Sequence, residues 1–277
     1  MNRISIFTFI FFVWTAAFCS SAITSQGHQR DYRDLEGYTS HNHSRRYGHK
    51  RRRSNDDKPH GASTIDMPRP HVGDYWTEQI LDHLDKYDAR ATFFVTGHNL
   101  FLDRRIDDED SQWPGLLRAI HEAGHQLGSH TWTHKHLENI TREDVFDEMI
   151  FNEMAFRNVL NLVPTYMRPP YGAWRDENVQ SDMQALGYHV VMYDVDTKDY
   201  KHNDADGIEE SIRVFEDAIA RNGTGSYITL SHDIRQWTAL KLVPAMLKTI
   251  TERGYKAVTL GECLNDPWVN WYRYPDN

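Results

Sequence analysis

Cysteine is nearly absent: two residues in 277 exclude a disulfide-dense miniprotein and any zinc ribbon built on four thiolates. Long apolar runs are scarce as well. The one conspicuous run, Ile4 to Phe18, is short for a helix that crosses a bilayer. There is no glycine-rich phosphate loop, which disfavours a dinucleotide-binding sheet. Positive charge is in deficit, with 31 Lys+Arg against 40 Asp+Glu and a net charge of −9. That balance makes general nucleic-acid binding a poor fit. What the chain does have is an apolar fraction of 39%, enough for a packed core, in a length suited to one large domain or two small ones.

The charge is divided unevenly. Residues 28–61 hold nine Lys/Arg and five Asp/Glu, a balance of +4, whereas residues 62–277 hold 21 and 35, a balance of −14. Met1-Asn2-Arg3, the apolar run and the small residues Ser20-Ser21-Ala22 have the layout of a secretory signal peptide over 1–22. Residues 23–62 read as a disordered basic segment. Tyr32, Leu35, Tyr38 and Tyr47 are the only apolar or aromatic residues of 28–61, too few to offset the ordering entropy. The histidines there (His41, His43, His49, His60) fit a solvated tail better than a metal tract, and Lys50-Arg51-Arg52-Arg53 fits a dibasic processing site. Asn42, Asn139 and Asn222 each begin an N-glycosylation sequon, as a secreted protein allows. The expectation is a secreted protein, extracellular or in the cell wall, with no membrane association after leader removal and no nucleic-acid partner, acting as a monomer.

From Thr77 onward the pattern alternates between helix and strand. Thr77 is placed to cap a helix with Ile80, Leu81 and Leu84 on one face. Ala91 to Thr96 is a buried-strand run. Pro114 opens a second helix, closed by Gly124. Gln126 to Ser129 is a short strand, and Thr141-Arg-Glu-Asp144 resembles a capping box before a long helix through Leu162. Further strands are expected at 165–168, 188–193, 226–230 and 255–260, with helices near 177–186, 206–221 and 236–253. Strands alternating with helices imply an α/β fold with a mostly parallel sheet, open or closed.

The C-terminal strand ends carry the reactive residues, as in barrels. One ends Ser129-His130-Thr-Trp-Thr-His134, an i,i+4 histidine pair that shares a face if the stretch takes a helical turn. Such a pair suits one metal ion, although alone it is weak, and structural or solvated histidines are the commoner outcome. His121, His125 and His136 lie close by in sequence. The next strand ends Arg168-Pro-Pro-Tyr171-Gly172, a stiff turn that can present a backbone N–H outward. The others end in Asp194-Val-Asp196-Thr-Lys-Asp199-Tyr200 and Leu230-Ser231-His232-Asp233. Together they suggest a hydrolase: a metal polarising a carbonyl, a carboxylate base, a histidine acid and a turn N–H for the oxyanion.

These residues resemble the polysaccharide deacetylases of carbohydrate esterase family four, the NodB-homology fold, and are most similar to the fungal secreted chitin deacetylases. The family's His-Ser/Thr-x-x-His matches His130 to His134, its Arg-Pro-Pro-Tyr-Gly matches 168–172, its Asp-Ser/Thr-x-Asp-Trp/Tyr matches 196–200, and its Leu-x-His matches 230–232. The likeness runs over about 75–275 and defines a domain over 63–277. It implies a distorted (β/α) barrel and a divalent metal, usually zinc, with cobalt or manganese as alternatives. The implied substrate is chitin or a chito-oligosaccharide, from which N-acetyl groups are hydrolysed. It also implies that His130 and His134 bind the metal, that the Tyr171 N–H completes an oxyanion site, that His232 protonates the leaving amine with Asp199 tuning it, and that Arg168 holds the catalytic base. Tyr200, Leu230, Pro170 and Trp174 are implied to line the sugar groove.

The family's first motif, Thr-Phe/Tyr-Asp-Asp-Gly-Pro, has no match. Aligning on Pro68 puts Asp66 at the metal position and Ile65 at that of the base. An apolar first strand is missing or altered there too. With Cys19 removed in the leader, Cys263 is left as an odd cysteine, where the fungal relatives pair it with one near the first motif. Three coincident absences point to one cause, a disrupted or mispredicted N-terminal region joined to an otherwise intact domain. A noncatalytic carbohydrate-binding relative of the same fold is the alternative.

Overall fold

A computed structural model describes residues 6–8, 14–22, 74–99, 104–221 and 225–275. In chain order these form β1 (Ile6–Thr8), β2 (Trp14–Ala22), α1 (Asp74–Lys86), β3 (Thr92–Val95), β4 (His98–Asn99), β5 (Arg104–Arg105), α2 (Trp113–Glu122), β6 (Gln126–Ser129), α3 (Arg142–Leu160), β7 (Val163–Pro164) and β8 (Tyr166–Met167). They continue with α4 (Glu177–Ala185), β9 (His189–Val190), β10 (Val195–Asp196), α5 (Ile208–Ala218), β11 (Thr229–Leu230), α6 (Val243–Glu252), β12 (Tyr255–Val258), α7 (Leu260–Leu264) and β13 (Tyr272–Arg273). Asp66, Asn42, Asn222, the tail histidines and Lys50–Arg53 lie outside the described residues.

The α/β expectation holds. A seven-stranded sheet runs β1-β2-β3-β6-β8-β9, with β12 also on β2. The pairs β3–β6, β6–β8 and β8–β9 are parallel, as is the separate β10–β11 pair. All four residues of β3 and of β6 are buried, the burial expected of a parallel strand covered on both faces. Ile80 and Leu84 of α1 are fully buried with Phe93, Phe94 and Leu127 in the main core. Pro114 lies in the first turn of α2, and Thr141 caps α3 by accepting the Asp144 N–H.

Four local expectations need correction. Thr77 is not a helix cap, because α1 begins at Asp74; its buried hydroxyl donates instead to Asp233 Oδ2 at 2.5 Å. The strand expected over 188–193 shrinks to β9. The Val191 and Met192 carbonyls accept from the Arg168 guanidinium at 3.1 Å each, so they are turned away from a sheet ladder. The missing strand position is not vacant either. β2 lies between β3 and β12, antiparallel to both, in the register Phe93–Ala16 and Val258–Cys19. The same apolar segment that has the composition of a leader satisfies the backbone groups of two neighbouring strands, which would otherwise present open edges. Cys263 is buried and disulfide-bonded rather than odd; the only other cysteine in the sequence, Cys19, is in β2.

His125 shows what a core histidine looks like in this fold. It is 4% exposed, accepts the Ala91 N–H on Nδ1 at 3.3 Å and meets the Phe93 ring edge-on. Burial, helped by the Arg90 charge, pulls it down to about 3. Because the folded-state value lies below that of the unfolded chain, the unfolded chain binds the extra proton as pH falls below about 6.5. Acidification from pH 7 to 4.5 is therefore expected to remove roughly 2 kcal/mol of stability through this residue. Denaturant titrations of wild type and His125→Gln at both pH values check it; equal losses in the two proteins would refute the assignment.

Candidate active site

The histidine loop after β6 is not helical. Thr131 (φ 68°) and His134 (φ 60°) both adopt left-handed backbone, and this double reversal folds the loop back so that the two imidazoles meet with ring centroids 4.8 Å apart. The expected helical turn is thus replaced by a tighter device with the same result. The loop is fastened by two segments. Gly97 and His98 donate their N–H groups to the carbonyls of Thr131 (3.0 Å) and Trp132 (2.7 Å). A Cβ on Gly97 would stand 2.3 Å from the Trp132 ring, so only glycine allows this approach. From α3, the buried Glu148 accepts the Thr133 N–H at 2.7 Å and also the Thr133 hydroxyl.

His130 is fully buried, and its Nδ1 lies 2.7 Å from the Arg168 carbonyl. A carbonyl only accepts, so Nδ1 carries the proton and the lone pair sits on Nε2. Nε2 is buried with no hydrogen-bond partner among the described residues. Burial and the neighbouring His134 hold His130 well below the usual histidine value. Burial and then His232 pull His134 down to about 4. Both are therefore neutral near pH 7, which is the form that binds metals. An orphaned, pre-oriented imidazole nitrogen beside a second neutral imidazole fits two ligands of a divalent metal, with the outer hydrogen bond in its usual place.

Across from this pair, His232 Nδ1 donates to Asp199 Oδ1 at 2.7 Å and its own N–H donates to Asp199 Oδ2 at 2.6 Å. The Thr238 hydroxyl donates to the same Oδ2 at 2.7 Å. The three donors fix Asp199 as an acceptor and leave Nε2 of His232 as the working nitrogen. Thr197 joins the two motif strands, both its N–H (3.2 Å) and its hydroxyl (2.7 Å) donating to the Leu230 carbonyl. Leu230 is buried beneath them. The Tyr200 ring meets His232 edge-on at 5.3 Å, and its hydroxyl donates to Asp196 at 3.0 Å.

Arg168 is wholly buried, with its guanidinium over the Phe94 ring at 4.4 Å. Burial pulls it well below the ordinary arginine value. Beyond it, Pro170 is buried and opens a short turn in which Tyr171 is left-handed (φ 59°) and its side chain 61% exposed. Gly172 and Ala173 donate to the carbonyls of Pro169 and Pro170. The Tyr171 N–H is not used by the turn. Its ring lies 4.8 Å from that of His134. Trp174 packs on the smaller core of Leu137, Met167 and Met183 and lines a cavity of ≈ 490 Å³ with Tyr188 and His189.

The structure thus brings together His130, His134, Arg168, Tyr171, His232, Asp199, Tyr200 and Leu230. Sequence reasoning missed Glu148, Thr238, Asn152 and Glu138. Asn152 donates to the Val95 carbonyl at 3.0 Å and to the Ser129 hydroxyl at 2.8 Å, bracing the strand ends. Glu148 and Asn152 reach in from α3, and Glu138 and Thr238 each bond a loop far from themselves in sequence, so no local spacing announces them.

The arrangement is that of a hydrolytic site at the C-terminal ends of parallel strands. A family model for polysaccharide deacetylase matches residues 53–191, and the chain belongs to the polysaccharide deacetylase family. A chitin deacetylase of Colletotrichum lindemuthianum is 38% identical over 199 residues, covering 72% of this chain and 78% of that protein. The solved structure of the chitin deacetylase from that fungus superposes with a TM-score of 0.68 at 37% identity, over 73% of this chain and 87% of that one. A probable peptidoglycan-N-acetylglucosamine deacetylase of Arthroderma benhamiae is 39% identical over 72% of this chain, which spans only 43% of that protein.

Proposed function

We propose that this protein is a metal-dependent deacetylase that removes N-acetyl groups from N-acetylglucosamine polymers, with chitin as the substrate class. The observation that carries the reading is the buried, unpartnered Nε2 of His130 beside His134, electrostatically coupled to the Asp199-anchored His232. The parallel pairs β3–β6, β6–β8, β8–β9 and β10–β11 support a distorted (β/α) barrel around this site. His130 and His134 would hold the metal, zinc in the first instance. A divalent metal there supplies Lewis acidity toward the acetyl carbonyl and the attacking water. In its doubly protonated form, with Nδ1–H held on Asp199, His232 delivers its Nε2 proton to the departing amine. The Tyr171 N–H stabilises the oxyanion, and the Tyr200 ring packs against the sugar. The sequons support an extracellular location, and Asn139 is exposed where a glycan would attach.

A second reading is favoured by one observation in the sequence. The Asp-Asp motif that supplies the base in the family has no counterpart, and Asp66 stands without an acidic neighbour. A carbohydrate-binding relative that keeps the groove without the base accounts for that. Acetate release from chitin oligomers, measured beside metal content, separates the two. Acetate together with stoichiometric zinc supports the deacetylase; stoichiometric zinc and oligomer binding without acetate would establish the binding protein.

A further inference from the structure

Two catalytic loops are joined by a short segment to which no role has been given. His136 and Glu138 flank Leu137 just after the histidine loop, at a short 3₁₀ turn over Leu137–Asn139. Both reach the loop that carries Tyr171. The His136 ring stacks on the Tyr171 ring at 5.6 Å and 19°, while His134 meets it edge-on. At the far end of the same loop, Glu138 Oε1 accepts the N–H groups of Arg175 (2.5 Å) and Asp176 (3.2 Å). The loop's entry is fixed separately, by the Arg168 N–H on the Ser129 carbonyl at 2.9 Å.

We propose that His136 and Glu138 form a clasp that positions the Tyr171 N–H against the His130–His134 pair. The physical need is plain. A non-glycine residue in left-handed backbone is strained and persists only where its surroundings over-determine it. Here the two prolines stiffen one side, and the clasp holds the ring and the exit of the loop. Neither clasp residue touches the reacting atoms, so both are positioning residues. The chemical consequence rests on the deacetylase reading, in which the Tyr171 N–H meets the oxyanion.

Three variants and two measurements test it. Glu138→Ala removes the acceptor for both amides and is expected to lower kcat about 10- to 100-fold, a fraction of what losing an oxyanion donor outright costs. KM and metal content should stay at wild-type values, because the histidine pair is untouched. Glu138→Gln keeps an acceptor oxygen and His136→Phe keeps a flat ring, so both should retain most of the activity. Independently of activity, amide hydrogen exchange over residues 169–176 is expected to quicken in Glu138→Ala and not in Glu138→Gln. Wild-type kcat with unchanged exchange in Glu138→Ala overturns the clasp, as does an equal loss in Glu138→Gln. Should Glu138→Ala fail to fold, His136→Ala against His136→Phe makes the same comparison. Should wild type release no acetate, the deacetylase reading falls alone, and the exchange data still decide the clasp.

Discussion

Asp199→Asn is expected to reduce the rate of acetate release about 10²–10⁴-fold, the span for losing general acid–base catalysis, while leaving metal content unchanged. Asp199 is completely buried and accepts three hydrogen bonds, from the His232 N–H, His232 Nδ1 and the Thr238 hydroxyl. An asparagine offers one acceptor oxygen and must aim its NH₂ at a donor. If the amide oxygen stays on the His232 N–H, the NH₂ faces Nδ1 and drives the ring proton to Nε2. A ring whose Nδ1 must accept from that NH₂ cannot take up the second proton, and the neutral ring is a poor acid toward the leaving amine. A buried donor left without a partner also costs about 1–3 kcal/mol in stability, so thermal unfolding belongs beside the kinetics. His232→Ala should show the same loss of kcat and also cost stability, because it leaves the buried Asp199 Oδ1 without its donor. An Asp199→Asn protein with wild-type turnover would remove His232 from the role of acid.

His130→Ala is expected to abolish stoichiometric metal binding and, with it, acetate release. The loss of an outer hydrogen bond to a ligand already weakens metal affinity about 10–100-fold, and this substitution removes the ligand itself. His130 is the better oriented of the pair, with no exposed surface and its proton fixed on Nδ1 by the Arg168 carbonyl. His134 alone retains one imidazole, too little for the three protein ligands of a usual catalytic zinc site. Metal analysis after dialysis, with His189→Gln as the control, checks this; His189 sits on β9 against Tyr166, away from the pair. Full metal occupancy in His130→Ala would place the cation elsewhere.

Much of the fold could be read from the sequence because its signals are local. The expected helices near 114–120, 141–162 and 177–186 correspond to α2, α3 and α4, and the strands at 126–129 and 255–260 to β6 and β12. Periodicity, a proline at a helix start and a Thr-x-x-Asp cap each act within a few residues, so a single chain displays them. The four motifs were equally plain, because each occupies five or fewer consecutive residues at a strand end.

Other features depend on segments far apart in the chain. The left-handed pair Thr131 and His134, not a helical turn, brings the two imidazoles together, and that geometry depends on Gly97 and on Glu148 from α3. Arg168 ends the β9 ladder by drawing in the Val191 and Met192 carbonyls, a competition no propensity records. The apolar N-terminal segment reads as a leader by composition, yet its backbone pairs with β3 and β12 in the sheet; composition reports solubility in apolar surroundings and does not say which surroundings. The sequence by itself determined the α/β class, the family and the residues able to do chemistry. The tertiary structure decided which of them meet and which nitrogen of His130 and of His232 carries the proton. Those outcomes are set by hydrogen bonds and burial between residues that are distant in the chain and adjacent only once it has folded.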